Sequence, residues 1–157
     1  MEVEVTRAVL AALRAEAERA APEECCGLLL GGGEGSGRID AALPAANISD
    51  QPRLRFEIDP AVLLAAHKAA RAGGPQVLGY YHSHPTGHPV PSATDCEHST
   101  GDSRIWAIIA GGQVAFWRDS GKGFSPMAFR VAGEDRAVPG NGPKEWPMDG
   151  QRNGSAD

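Results

Sequence analysis

An α/β sandwich around a mixed β-sheet is the fold class this chain predicts, on three observations. Segments of strand and helix character interleave along it, two of the helical segments carry cap residues, and two strand segments meet at a glycine pair fit for a hairpin. With 157 residues, 41% of them apolar, the chain has the size of one domain with a real core.

Each element has a local cause. The stretch "TRAVLAALRAEAERA" (6–20) sets Leu10, Leu13, Ala17 and Ala20 on one helical stripe and keeps Arg7, Arg14 and Glu18 off it. Thr6 is its N-cap and Pro22 ends it. "CCGLLLG" (25–31) reads as a buried strand, followed by a glycine-rich turn and a second strand at 38–44. "LRFEI" (54–58) alternates enough to be a strand. Asp59 as N-cap, Pro60 at the first helical position and Gly73 just past the end bound a second helix. "QVLGYYHSH" (76–84) is a further strand and "SATDCEHST" (92–100) a short helix. Residues 104–118 form two strands meeting at Gly111 and Gly112, and a last strand runs near 124–131. The domain is read as residues 1–133. From Glu134 the composition turns to Gly, Pro, Asn and charge, with little to bury except Trp146 and Met148, so 134–157 reads as a mobile tail.

Composition narrows the function. A formal charge of −5 and a pI near 5.5 leave no basic stripe for phosphates, so a nucleic-acid partner is set aside. No apolar run approaches the roughly 20 residues a membrane span needs, and the acidic start "MEVEVTRAVL" is not a basic leader. A cytoplasmic protein with no membrane partner is expected. Cys25, Cys26 and Cys96 are an odd set, two of them adjacent, and read as reduced thiols rather than a disulfide framework.

The stretch "YYHSHPTGHPVPSATD" (80–95) holds three of the five histidines. His82 and His84 are two apart at a strand end, so both imidazoles project to one side and can bite one ion. Pro85 stops the strand, and the loop 85–91 turns the chain back to bring up Asp95. Two imidazoles and one carboxylate suit zinc, and three protein ligands leave a fourth position for water, as in a catalytic site. A metal-free reading exists for each piece: the histidines can be exposed polar positions, and "SATD" is a helix-capping pattern. Cap and ligand roles are compatible, because a capped helix start holds Asp95 in one direction. His88 and His98 are read as surface or supporting positions and His67 as a surface histidine.

The pattern H-x-H-x7-S-x2-D, met by His82, His84, Ser92 and Asp95, resembles the motif of the JAMM (MPN+) zinc metalloprotease family, bacterial branch. "ECCGLLLG" (24–31) is similar to that family's E-x-x-G context, with Glu24 in the glutamate's place, and "FEIDP" (56–60) before a helix is similar to bacterial members. The likeness covers roughly residues 1 to 131. It implies the JAMM/MPN, cytidine-deaminase-like architecture, with His82, His84 and Asp95 as metal ligands. It further implies Glu24 as general base and Ser92 as donor to the oxyanion. Glu23 competes with Glu24, but neighbours on a strand face opposite ways and the family register selects Glu24. Cys26 shares Glu24's face and reads as a small buried side chain; Cys96 is left out of the ligand set.

The resemblance also implies a substrate class: ubiquitin-like or sulfur-carrier proteins of β-grasp fold, cut after a Gly-Gly tail by peptide or isopeptide hydrolysis. Segment 45–57 is the expected edge for such an extended tail. The H-x-E and P-C-x-x-C of zinc deaminases and the H-E-x-x-H of helix-borne zinc proteases are both absent. The rival from another class is a catalytically silent scaffold of the same fold, which stoichiometric zinc analysis would distinguish.

Overall fold

The computed structural model describes residues 2–32 and 37–132. Seven strands and three helices follow the order β1 (Glu2–Val5), α1 (Arg7–Ala20), β2 (Cys26–Gly31), β3 (Arg38–Ala45), α2 (Pro60–Arg71), β4 (Gln76–Ser83), α3 (Ala93–Glu97), β5 (Ile105–Ala110), β6 (Gln113–Asp119) and β7 (Phe124–Val131). The strands line up as β1-β3-β2-β4-β5-β6-β7, and β7 pairs back onto β1, so the mixed sheet closes on itself. Pairings β1–β3, β1–β7 and β4–β5 are parallel and the rest antiparallel. The expected α/β organisation around a mixed sheet is present, and the closing contact is short on one side, since β1 pairs β3 only at Arg38 and Ile39.

The two longer helices take opposite faces. Val9, Leu10 and Leu13 of α1 pack with Val5, Leu29, Ile39, Tyr81, Ile109, Phe116 and Phe129, one face drawn from the strands of the closed sheet. The neighbours of Leu29 point the other way: Leu28 and Leu30 meet Val62, Leu63 and Ala66 of α2, as period-2 alternation requires. Both helices begin as their caps dictate, with Thr6 Oγ1 accepting from Val9 N and Asp59 from Ala61 N.

At Gly111 and Gly112, with φ of 58° and 78°, the β5–β6 hairpin turns in the left-handed region that suits glycine. Gly79 serves a different need. A Cβ there would lie 1.8 Å from the Ile105 carbonyl oxygen across the β4–β5 pair, so Gly79→Ala must push the two strands apart. Its expected cost is about 3 kcal/mol or more, measured as a fall in the urea midpoint at unchanged m-value.

Three expectations need correction. Residues 54–58 form no strand; they run through turns and coil, touching the sheet only through the isolated bridge Asn47↔Ile58. Phe56 is drawn into the core beside Trp106 instead of joining a ladder. The short helix spans Ala93–Glu97 rather than 92–100, because Ser99, Thr100 and Gly101 turn to bond the buried Asp119 carboxylate. Strand β1 was not foreseen; its alternating "EVEV" buries Val3 and Val5 between β3 and β7. The tail expected from Glu134, with Trp146 and Met148, lies outside the described residues. Among the described residues, no helix is long and apolar enough to cross a membrane.

Candidate metal centre

Strand β4 delivers both histidines. His82 pairs with Cys26 of β2 on one side and Ile108 of β5 on the other, and the next residues leave the sheet as His84 N–H donates to the Ile109 carbonyl at 2.8 Å. Pro85 then turns the chain away. The following loop is pinned rather than slack: Val90 is buried beside Trp106, and the Trp117 indole N–H donates to the Pro89 carbonyl at 3.0 Å. That route leads to Ser92, whose hydroxyl accepts from Asp95 N while Ser92 N donates to Asp95 Oδ2, a reciprocal capping box.

His82 Nε2, His84 Nε2 and Asp95 Oδ2 therefore converge, at 3.0 Å for His82–Asp95 and 3.2 Å for both other pairs. All three residues are buried. A tetrahedral ion with bonds of roughly 2.0–2.1 Å to nitrogen and oxygen needs donors about 3.3 Å apart, so the triangle fits one ion. The tautomers fit as well. His84 Nδ1–H donates to the His88 carbonyl at 2.9 Å, which turns Nε2 toward the cluster. Burial raises the Asp95 carboxyl, but the charge and hydrogen bonds of the two imidazoles outweigh it and hold it well below the usual carboxylate range. The carboxylate is ionised, as a ligand must be. His82, His84 and Asp95 thus form a metal-binding group.

His82 has no such polar support. Its Nδ1 is buried without a hydrogen-bond partner among the described residues, and that side of the ring is held by contact, stacked on Phe56 with centroids 4.3 Å apart and edge-on to Trp106 at 5.5 Å. Phe56→Leu, which stays apolar but loses the flat face and some volume, is expected to weaken divalent-metal binding about tenfold. Stability should stay within about 1.5 kcal/mol of the parent. Metal titration against a competing chelator, beside a denaturation curve, checks both.

Glu24 is buried at 3% exposure, whereas Glu23 is exposed. It precedes β2 instead of lying within it, so strand alternation is not what separates the pair. The Glu24 backbone is clamped by the 47–55 loop: its N–H donates to the Pro52 carbonyl at 2.8 Å, and Asn47 Nδ2 donates to its carbonyl at 3.0 Å. Cys25 and Ser83 exchange bonds across β2 and β4, and the register carried one step further sets Glu24 opposite His84. Ser92 is 2% exposed beside Asp95.

Cys26 Sγ is buried near the Ala45 and Ala46 carbonyls, and burial, then the neighbouring acidic groups, push its thiol up to about 12. It is a neutral core side chain. Cys96, His88 and His98 are exposed. Asn47 and Phe56 were not anticipated. The "NISD" run of 47–50 was a signal for Asn47, since an Asn two residues before Ser forms a side-chain-to-backbone turn, here Ser49 N to Asn47 Oδ1 at 3.1 Å.

Comparison with known proteins agrees with this geometry. The chain is 36% identical over 89 residues to the desampylase of Haloferax volcanii, covering 57% of this chain and 63% of that protein. It is 36% identical over 95 residues to a probable TtuB-protein conjugate cleaving protease of Thermus thermophilus, covering 60% and 62%. A CysO-cysteine peptidase of Mycobacterium tuberculosis is 31% identical over 99 residues, covering 63% and 66%. The chain thus spans under two thirds of the length of each of these relatives. Among solved structures, a Desulfitobacterium hafniense protein superposes with a TM-score of 0.73 at 26% identity, covering 92% of this chain and all of that one. A JAB1/MPN domain protein of Archaeoglobus fulgidus superposes at 0.54 and 19% identity, covering 82% and 97%, and so shares the fold. Residues 6–120 match the family model described as prokaryotic homologs of the JAB domain. That span holds the whole His-His-Asp cluster, the loop that returns Asp95 to it and the strands on which it is built, and the chain belongs to this family.

Proposed function

We propose that this chain is a zinc-dependent peptidase or isopeptidase that hydrolyses the bond after the C-terminal Gly-Gly tail of a ubiquitin-like or sulfur-carrier protein of β-grasp fold. The observation that carries the reading is the buried triangle of His82 Nε2, His84 Nε2 and Asp95 Oδ2, sized for one tetrahedral ion. The names of the relatives support it, one a protease of TtuB-protein conjugates and one a peptidase of CysO-cysteine. The nitrogen and oxygen donors favour zinc. Zinc held there supplies a Lewis acid that polarises the scissile carbonyl and brings the pKa of a water to about 7.

The chain's own groups do the rest. Glu24, held at its backbone by Pro52 and Asn47, takes the proton of the attacking water and passes it to the departing amine. The Ser92 hydroxyl accepts from Asp95 N, so its own O–H is left to donate to the carbonyl oxygen as that becomes negative. Phe56 and Trp106 fix His82 and keep its surroundings dry. The substrate's tail lies along segment 45–57, beside a cavity of about 510 Å³ lined by Ser49, Arg55, Phe56, Tyr80 and Trp106. Residues 1–133 are the catalytic unit and 134–157 a tail. We place the protein in the cytoplasm, a reading supported by Cys25, Cys26 and Cys96 all being unpaired.

The test is to incubate the zinc-loaded chain with β-grasp carriers whose Gly-Gly is extended by further residues or joined to a lysine. Mass spectrometry is expected to find carriers ending at Gly-Gly, and none after zinc is chelated. Carriers left whole by the loaded protein would overturn the proposal.

A further inference from the structure

The peptide group that joins Glu24 to Cys25 is gripped at both ends by side chains. Asn47 Nδ2 donates to its carbonyl at 3.0 Å, and its N–H donates to Ser83 Oγ at 2.9 Å. Asn47 belongs to the loop after β3. Ser83 belongs to β4 and stands between His82 and His84, the two imidazoles of the metal-binding group.

The Ser83 grip is unusual for a sheet. The β2–β4 ladder runs to the pair Cys26↔His82, and one step on Ser83 N still donates to the Cys25 carbonyl at 3.2 Å. The return bond goes to the Ser83 hydroxyl instead of its carbonyl. The two chains part at this point. Glu24 N–H turns to the Pro52 carbonyl, while His84 N–H turns to the Ile109 carbonyl of β5. A side-chain oxygen thus takes over where the ladder ends, and Ser83, 2% exposed, gives it no competing water.

The faces of the sheet give this bond a direction. Cys25 packs with Tyr81 and Leu13 in the core under α1, whereas Cys26 packs with Trp106 and Ile108 on the side of His82. Fixing the Cys25 N–H to Ser83 carries that alternation one residue past the start of β2. The buried Glu24 is then sent to the side of the histidines.

We propose that Ser83 is a positioning residue: its hydroxyl registers the Glu24–Cys25 peptide against the strand that carries the metal ligands and so aims the Glu24 carboxylate at them. The inference rests on the reading of Glu24 as general base made above. The hydroxyl touches neither substrate nor metal, so its removal acts through Glu24.

Two measurements test it. In the first, Ser83→Ala in the zinc-loaded full chain should lower kcat on a Gly-Gly-extended carrier about thirtyfold, since a small misplacement of a reacting group costs up to about a hundredfold. KM and zinc content should stay as in the parent, and Ser83→Thr, which keeps the hydroxyl, should restore most of the rate. In the Glu24→Gln background Ser83→Ala should cost nothing further, because no carboxylate is left to aim. Loss by the same factor in both backgrounds, or in neither, overturns the proposal. Should Ser83→Ala not fold, Ser83→Cys replaces it, since sulfur accepts hydrogen bonds weakly.

The second measurement needs no turnover. Zinc loading should shift the carboxyl-carbon NMR resonance of Glu24, assigned by its absence from Glu24→Gln. The shift should be largely lost in Ser83→Ala and return in Ser83→Thr, because the field of an ion weakens with distance. A zinc-induced shift that is missing from the parent, or unchanged in Ser83→Ala, overturns the proposal even if carriers are cleaved. The expected pattern in a chain that cleaves no carrier upholds the positioning and counts against the proposed reaction alone.

Discussion

Glu24→Gln should bind zinc as the parent does and hydrolyse a Gly-Gly-extended carrier at least about a hundredfold more slowly. The substitution keeps size and shape, and the position is held through main-chain atoms, Glu24 N to the Pro52 carbonyl and Asn47 Nδ2 to the Glu24 carbonyl, none of which the variant changes. The change removes the group's proton affinity and puts an amide NH2 where one carboxylate oxygen was. The loss therefore belongs in kcat, with KM little altered, because substrate binding does not draw on the proton the group carries. Zinc content by elemental analysis and single-turnover rates on the same preparation separate the two properties. A glutamine variant that cleaves at the parent's rate would remove Glu24 from the base role. Glu23→Gln is the control, since Glu23 is exposed and should be replaceable without effect.

His82→Ala and Asp95→Ala should lose metal and hydrolysis together, with zinc affinity down by at least about a hundredfold. The two differ in what else they disturb. His82 packs between Phe56 and Trp106, so its truncation opens a hole in the cluster that also holds Ile108 and Trp117 and costs about 2–5 kcal/mol of stability. Asp95 is half of a capping box, and its removal orphans Ser92 N at a cost of about 1–2 kcal/mol. Asp95→Asn separates cap from ligand: it can still accept from Ser92 N and so should unfold near the parent's midpoint while binding zinc weakly. If the parent itself purifies and reconstitutes without stoichiometric zinc, the scaffold reading gains and the hydrolase reading fails. Metal retained by the alanine variants would refute the ligand set.

Much of the cluster was legible because it is built from short-range rules. Alternation puts His82 and His84 on one face of a strand, a proline ends that strand, and a Ser-x-x-Asp box starts the helix that orients Asp95. Both longer helices were legible for the same reason, since Thr6, Asp59 and Pro60 act within one turn of their own position. The segment 54–58 shows where such rules stop. Its alternation is real, but the burial of Phe56 against His82 and Trp106, two partners distant in sequence, decides its path instead.

What the residue order settles here is the chemistry available at each position: two imidazoles and a carboxylate at ligand spacing, a glutamate ahead of a buried strand, and the caps and turns around them. The surroundings of those groups came from contacts between distant parts of the chain. Phe56 lies flat on His82, Asn47 clamps the strand entry that carries Glu24, and Arg14 reaches a turn 98 residues away. The reason is that periodicity and capping are energies of neighbouring residues, whereas stacking, clamping and cavity shape depend on how the sheet curls shut, a choice made by the whole core at once.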